Sequence, residues 1–487
     1  MIQFAATAEE ILHELATLRA ADAPTHGGKV LSYVYDSGLA ALDDLAAAAM
    51  LAVQPLNGLD PTTFTSVAAM ERDVIAFTRE LLGGDEDVVG TVTSGGTESC
   101  MLAVKTAREN FRGQGAPRLL APASVHAAFH KAAHYFGLTL ELVPVGPDGR
   151  ADAAAMIAAM VPGVALVVIS APSYPHAILD PVTEIAAAAQ AKGIDLHVDA
   201  CIGGLVLPFW PDLPAWDLAV PGVTSISADL HKYGYAPKGA SVLLTRGRDR
   251  QRAQYFASTS WPGYPVVNPT LLGSKSAAPL AAAWAIIKFL GTAGFAELAT
   301  SCHRSTGALL ETVAGIEGLA VVGNPTGPLF AVAVDEGVPE AGRIDPHHWA
   351  DRLKSYGFTA QLQPAFIQSD GSVLPRTTHL TITPVTESRL PELQQAMIQA
   401  GTDVRGVPGI DPQRVLGPAD GPMAALLAGA AQFPRNSATA RQILGAMGLN
   451  GGGLPSAMAP VLALVEALPS GVTEWLLTEL LAELLEP

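Results

Sequence analysis

Short apolar runs alternating with helix-period patterns occupy the middle of this chain. DVVGTVTSGG at 87–96, ALVVISA at 165–171, IDLHVDA at 194–200, TSISAD at 224–229 and SVLLTRG at 241–247 each suit a buried strand. From about 56 to 295 these runs alternate with helical stretches, which predicts a large α/β domain whose sheet carries helices on both faces. PLFAVAV at 328–334 and THLTITP at 378–384 predict strands of a smaller α+β domain over 296–405. Residues 1–55 read as an N-terminal helical arm, with Glu9, Glu10, His13 and Glu14 in an amphipathic pattern. Residues 406–487 read as a C-terminal helical extension, rich at first in Gly, Pro and Ala and ending in TEWLLTELLAELLE. Leucines at near-helical spacing with acids between them predict an amphipathic helix there, expected to pack on its own chain or on a dimer mate.

Composition narrows the class of protein. At 487 residues, with 49% hydrophobic and 15% charged positions, the chain exceeds one typical domain and has ample material for a core. A formal net charge of -17 makes nucleic acid and anionic membrane surfaces repulsive as general partners. Cys100, Cys201 and Cys302 show neither metal spacing nor an even disulfide set, and so read as reduced, buried thiols. The N-terminus lacks a basic segment followed by an apolar one, and no window, including LAAAAMLAV at 45–53, reads as a membrane span. A cytoplasmic location is the expectation.

Three separated stretches carry candidate chemistry. TSISADLHKYGYAPKG at 224–239 holds Lys232 after His231, Asp199 ends the apolar run IDLHVDA, and TSGGTES at 93–99 is a glycine turn opening a helix. Pyridoxal 5'-phosphate (PLP) needs a lysine amine for its aldehyde, an acid opposite its pyridine nitrogen and a donor-rich cradle for its phosphate. Lys232, Asp199 and the Gly96-Thr97 turn supply these in turn, with His231 as a further phosphate ligand. Glycines allow close backbone approach and the helix start offers free amides. Burial beside another cation is expected to lower the pKa of Lys232 and make it nucleophilic at neutral pH. His126, His130 and His134 recur every four residues, but no carboxylate or cysteine completes a set, so no metal is expected. The His347-His348 pair reads as surface.

These residues carry a family likeness. Through GKVLSYVY at 28–35, TSGGTESCMLAVKTARE at 93–109, SVHAAFHKAAHYFG at 124–137, SAPSYPHAILDPVTEIA at 170–186, the Asp199 and Lys232 segments and WPG at 261–263, the chain resembles the sphingosine-1-phosphate lyase branch of the PLP-dependent group II decarboxylases. The resemblance implies PLP-dependent transferase fold type I (aspartate aminotransferase-like), with a mainly parallel seven-stranded sheet in the large domain plus a small C-terminal α+β domain. It implies that His126 stacks on the cofactor ring and that Tyr35, Asn57 and Lys238 belong to the substrate end of the pocket. It also implies a homodimer with shared active sites, in which the Tyr35 and Trp261–Gly263 segments serve the opposite site.

Departures from the family pattern, Leu230 excepted, gather in segments expected around the substrate or the subunit interface. Asn57-Gly58-Leu59-Asp60-Pro61 puts Asp60 where a histidine is usual, and a carboxylate there would repel a phosphate monoester. Trp261-Pro262-Gly263-Tyr264-Pro265-Val266 loses a glycine and a tyrosine, and Lys275 replaces a bidentate arginine. Ser32-Tyr33 stands for a serine-glycine, and Leu230 for a threonine. Lys238, Lys275 and His231 remain as a local basic set for a phosphorylated substrate.

Two enzyme readings follow for a small-molecule amine substrate. In one, retro-aldol cleavage of a phosphorylated long-chain amino alcohol gives a fatty aldehyde and phosphoethanolamine, with an unphosphorylated β-hydroxy amine as a variant substrate. In the other, an L-amino acid is decarboxylated, with Arg376 as candidate carboxylate anchor. A non-catalytic scaffold is disfavoured because Lys232, Asp199 and His126 are all retained.

Overall fold

The computed structural model describes residues 5–411, 436–446, 449 and 455–486. Its central sheet is built from β1 (Val88–Thr93), β2 (Arg118–Pro122), β3 (Thr139–Val143), β4 (Val164–Ser170), β5 (Asp195–Asp199), β6 (Ser225–Ala228) and β7 (Ser241–Arg246). The strand order is β1-β7-β6-β5-β4-β2-β3. β7 runs antiparallel to both neighbours and every other pair is parallel, so the sheet is mainly parallel, as fold type I requires. β4 is buried at every position, which explains its unbroken apolar run. β2 and β3 are absent from the pattern-based strands: RLLAP begins with Arg and ends with Pro, and TLELV is a partly exposed edge strand. Because β1, β5 and β6 point the same way, Gly95, Asp199 and Asp229–Lys232 emerge at one edge of the sheet. Ligands bind at that edge in open α/β sheets.

The smaller domain is an antiparallel sheet in the order Leu319–Val321, Leu329–Val334, Thr377–Thr381, Gln361–Gln363. Phe330, Val332, Trp349, Leu353, Phe358 and Leu380 are buried in its core. Helix Ala278–Ala314 joins the two domains across the boundary expected at 295/296, with a kink at Gly291, φ 55°. Leu280 and Ile286 sit in the large core and Leu309 and Val313 in the small one. An 18-residue window of this helix averages 1.4 in mean hydropathy, so by length and composition it is apolar enough to cross a membrane. That corrects the expectation that no window would be. Many of its apolar side chains are buried in the two cores.

The arm is not a separate unit. Leu31 joins the small-domain core, donates its N–H to the Thr359 carbonyl at 2.7 Å and accepts from Thr381 N at 2.8 Å. Helix Ala40–Ala52 lies along the long joining helix, whereas Ala8–Arg19 buries none of its residues. At the other end, helix Ser470–Leu484 packs Val472 and Leu476 on Ala440, Ile443 and Leu444 of its own chain, one of the two arrangements expected of it. Most of the Gly/Pro/Ala-rich start of the extension lies outside the described residues. His347 is buried with Nε2 2.9 Å from the Gln363 carbonyl oxygen, contrary to its surface reading, because the first turn of helix Pro346–Ser355 packs under the small sheet.

Candidate active site

Two adjoining cavities meet at Lys232. The inner one, about 360 Å³, is lined by Ser94, Gly96, Thr97, Asp199, His231 and Lys232. The outer one, about 670 Å³, runs from Lys232 past His126 and Lys238 to the small domain.

The inner cavity begins where β1 turns into helix Gly96–Asn110. Gly95 sits at φ 153°, a conformation side-chain-bearing residues avoid, and caps the helix with its carbonyl to Ser99 N at 3.1 Å but with no side chain to bond the first amides. A Cβ on Gly96 would lie 2.6 Å from Asp229 Oδ2 and 2.8 Å from Cys201 Sγ, so only glycine fits. The helix start therefore faces the cavity bare, with the Thr97 residue beside it. His231 Nδ1 is 2.8 Å from the Ala240 carbonyl oxygen, which can only accept, so that nitrogen carries the proton. Burial is the largest influence on His231 and lowers its pKa, against the pull of Asp229.

Sequence reading missed the group that governs the lysine. Lys232 Nζ lies 2.9 Å from Asp229 Oδ2, and His231 Nε2 lies 3.6 Å from the same oxygen. Burial acts to lower the Lys232 pKa, but the Asp229 carboxylate outweighs it and the pKa is raised well above the ordinary lysine value. The expected depressed lysine is thus corrected: before cofactor arrives, Lys232 is a buried ammonium. Burial opposes the Asp229 charge in turn, yet Lys232 and His231 hold its pKa below the usual carboxylate value. The signal was in the sequence, as an acid three residues before the lysine at the end of β6.

At the end of β5, Asp199 is buried, and its Oδ1 accepts from Cys201 N at 3.1 Å and from the Ser227 hydroxyl at 3.4 Å. Ser227 also lies 3.1 Å from Nε2 of His197, whose pKa burial lowers to about 4, so a neutral histidine backs the aspartate. Cys100, Asp199 and Cys201 bring ligand atoms within 4.8 Å of one another. Burial pushes the Cys100 thiol up, and the Cys100 contact followed by burial pushes Cys201 up, so both stay protonated rather than becoming thiolate ligands.

In the outer cavity His126 caps helix Ala127–Phe136, its Nδ1 accepting from Ala128 N at 3.2 Å, which leaves Nε2 to carry the ring proton. Lys238 Nζ sits 4.7 Å from the centre of the Tyr35 ring and donates to the His231 carbonyl at 3.2 Å. Burial, then the Lys232 charge, lowers its pKa to about 8. Burial raises the Tyr35 phenol to about 12, so it stays a proton donor. Tyr35 lines the cavity of its own chain, which corrects its assignment to the opposite site: the arm is threaded through the small domain at Leu31 and arrives beside Tyr233. Tyr33, noted in the sequence only as a departure from the family pattern, and Tyr174, His176 and Gln361, not singled out there, complete the wall. Tyr174 and His176 fall within the SAPSYPHAILDP stretch, but Gln361 sits in a small-domain strand with no motif around it.

Other nominated residues stand elsewhere. Asn57 and Lys275 form a second cluster with Ser274: Asn57 Nδ2 donates to Ser274 Oγ at 3.3 Å and its Oδ1 accepts from Lys275 N at 3.3 Å. Asp60 accepts from the Thr62 and Thr63 hydroxyls at 2.6 and 2.8 Å, which lowers its pKa to about 2. None of these three lines either cavity at Lys232. Arg376 is held by Asp345 at 3.0 Å and by Glu466 and also lies outside, so it is corrected as a carboxylate anchor.

The inner cavity fits PLP. A bare helix start with Thr97 and His231 would hold the phosphate, Asp199 the ring nitrogen, His126 a ring face and Lys232 the aldehyde. Comparison with known proteins agrees. Residues 45–329 match the family model described as the pyridoxal-dependent decarboxylase conserved domain, and residues 421–483 match one for a C-terminal helix-turn-helix domain of pyridoxal-dependent enzymes. The sphingosine-1-phosphate lyase of Dictyostelium discoideum is 39% identical over 285 residues, 57% of this chain and 54% of that protein. The chain spans about half the length of the curated relatives it matches first. A solved sphingosine-1-phosphate lyase from Burkholderia pseudomallei superposes with TM-score 0.76 at 31% identity, covering 83% of this chain and 93% of that one. A glutamate decarboxylase from Lactobacillus brevis, TM-score 0.72 at 18% identity over 84% of this chain and 96% of that one, shares the fold.

Proposed function

Because this chain belongs to the pyridoxal-dependent decarboxylase family, we propose that it is a PLP-dependent carbon–carbon lyase acting on a phosphorylated long-chain amino alcohol. The products are a fatty aldehyde and phosphoethanolamine. The likeness that carries this reading is the Burkholderia pseudomallei lyase, matched at 31% identity over 93% of its chain. The site supports it too. Arg376, the candidate carboxylate anchor of a decarboxylase, is occupied by Asp345 and Glu466.

Bound PLP supplies an electron sink for the pair released when the bond next to the amine-bearing carbon breaks. The chain's own groups do the rest. Asp199, oriented by Cys201 N–H and Ser227, presents its carboxyl group at the end of β5, where it would hold a ring N–H. Lys232 would hold the cofactor's aldehyde, and its amine is placed in the cavity to return a proton to the substrate. Lys238, charged below about pH 8, offers a cation to the substrate's anionic group, and Tyr35, with its pKa at about 12, donates a hydrogen bond beside it. The small-domain wall of Leu362, Phe366 and Leu374 gives an apolar lining on which an alkyl chain can lie.

The assembly we propose is a cytoplasmic homodimer. Asn57, Asp60 and Lys275 lie away from their own chain's Lys232, and a second chain would bring such a cluster to a shared site. Mixing Lys232→Ala and Lys275→Ala chains should then restore part of the turnover lost in each, and sedimentation should give a dimer mass. For the reaction, PLP-loaded protein is given a phosphorylated sphingoid base and, separately, a mixture of amino acids, with products read by mass spectrometry. Fatty aldehyde and phosphoethanolamine are expected; amines formed by loss of carbon dioxide, with the sphingoid phosphate untouched, would sink the reading.

A further inference from the structure

Tyr33 occupies a backbone conformation that suits glycine. Its φ is 60°, in the left-handed region that bulky L-residues avoid. Burial does not compensate, because the side chain remains 63% exposed. The backbone on both sides imposes the angle. Leu31 is bonded to Thr359 and Thr381 at 2.7 and 2.8 Å, and the Asp36 carboxylate accepts from Gly27 N at 2.7 Å and Gly38 N at 2.8 Å. Between these anchors a glycine would sit without strain, and the tyrosine puts a ring on the wall of the outer cavity. Its hydroxyl donates to Oε1 of Gln361, a residue 328 positions away on the edge strand of the small sheet. Both residues line the cavity, so the bond ties its arm side to its small-domain side.

We propose that the Tyr33–Gln361 bond is a bar across the outer cavity and that Tyr33 sets which substrates pass, restricting the bulk of the part remote from the amine. Strained residues persist where the surroundings over-determine them, and they gather at ligand clamps. Here the strain has a clear geometric product, a phenol ring and a hydrogen bond at the rim. Tyr33 and Gln361 share this cavity with Lys232, Tyr35 and Lys238, the last 4.7 Å from the Tyr35 ring, so a substrate whose amine is at Lys232 meets the bar with its remote end. The inference rests on the proposed amine chemistry, and its identification of the remote end as an alkyl chain rests on the proposed substrate.

The test separates the bar from the reaction. PLP-loaded wild type, Tyr33→Gly, Tyr33→Phe and Gln361→Ala are titrated with phosphorylated amino alcohols of increasing chain length, following the cofactor absorbance, which needs no bond cleavage. Product analysis on the same samples reads the reaction independently. Tyr33→Gly should raise the affinity ratio of the longest to the shortest chain by about tenfold, the scale of selectivity a hydrophobic pocket commands. Tyr33→Phe and Gln361→Ala should each give part of that shift, and Tyr33→Gly should melt at a higher temperature as the backbone strain is relieved. Should the protein instead decarboxylate amino acids, the same four proteins are compared on side chains of increasing bulk, and the same trend is expected. An unchanged ratio in all three variants on the series the wild type binds would overturn the proposal, whichever reaction is found.

Discussion

Replacing Asp229 by asparagine removes the charge that keeps Lys232 an ammonium in the cofactor-free protein. The pair is 2.9 Å apart, with side-chain exposures of 2% for Asp229 and 19% for Lys232. Deleting one partner of a buried ion pair costs about 3–5 kcal/mol while the other stays charged. Lys232 escapes most of that cost by releasing its proton, since burial already acts to lower its pKa. Asp229→Asn therefore lowers the Lys232 pKa, the direction in which burial already acts. The rate of cofactor capture follows the free-amine fraction, so in the wild type it should climb about tenfold per pH unit through neutrality. In Asp229→Asn it should be faster near neutral pH and flatten at lower pH. Stopped-flow absorbance of the lysine-linked cofactor, on protein stripped of PLP, reads both curves. Stability gives a second check with a fixed sign. The raised lysine pKa contributes stability below the ordinary lysine value that is lost as pH rises through the folded value, and the lowered Asp229 pKa contributes stability lost as pH falls through its own. The wild type should therefore exceed the variant most across neutral pH and least in acid. Parallel capture curves for the two proteins would refute the claim that Asp229 sets the charge of Lys232.

Lys232→Ala should abolish both the absorbance of the lysine-linked cofactor and turnover, while Asp199→Ala should cut turnover by orders of magnitude and leave cofactor bound, as equilibrium dialysis would show. Because the Lys238 pKa is about 8, binding of an anionic substrate should weaken as pH rises through that value, and Lys238→Arg should move the loss to higher pH in KM rather than in kcat. Gly96→Ala places a Cβ 2.6 Å from Asp229, so the helix start must shift; PLP affinity should fall by at least tenfold in a fluorescence titration, with thermal stability of the cofactor-free protein changing far less.

The sequence by itself determined the chemistry of the inner cavity. Lys232, Asp199, Gly96, Thr97 and His231 were legible because each follows a strand closely, and a parallel sheet delivers such ends to one edge whatever the rest of the chain does. The same local logic placed β1, β4, β5, β6 and β7, and missed β2, which begins with Arg and ends with Pro, and β3, a partly exposed edge strand. Only the tertiary structure decided the outer cavity. Tyr33 and Tyr35 reach it because Leu31 is buried in a core made by residues beyond 300, and Gln361 because it sits on the edge strand of the small sheet over that core. Contacts of that sequence separation leave no periodicity or spacing to read, since they depend on how two cores pack. Asn57, Asp60 and Lys275 stand apart from their own Lys232 for the same reason, and Arg376 lost its nominated role to two carboxylates, one of them on a helix 90 residues further along. The charge of Lys232 joins the two levels: its partner Asp229 is local in sequence, but the burial that makes their pairing strong comes from the folded sheet edge.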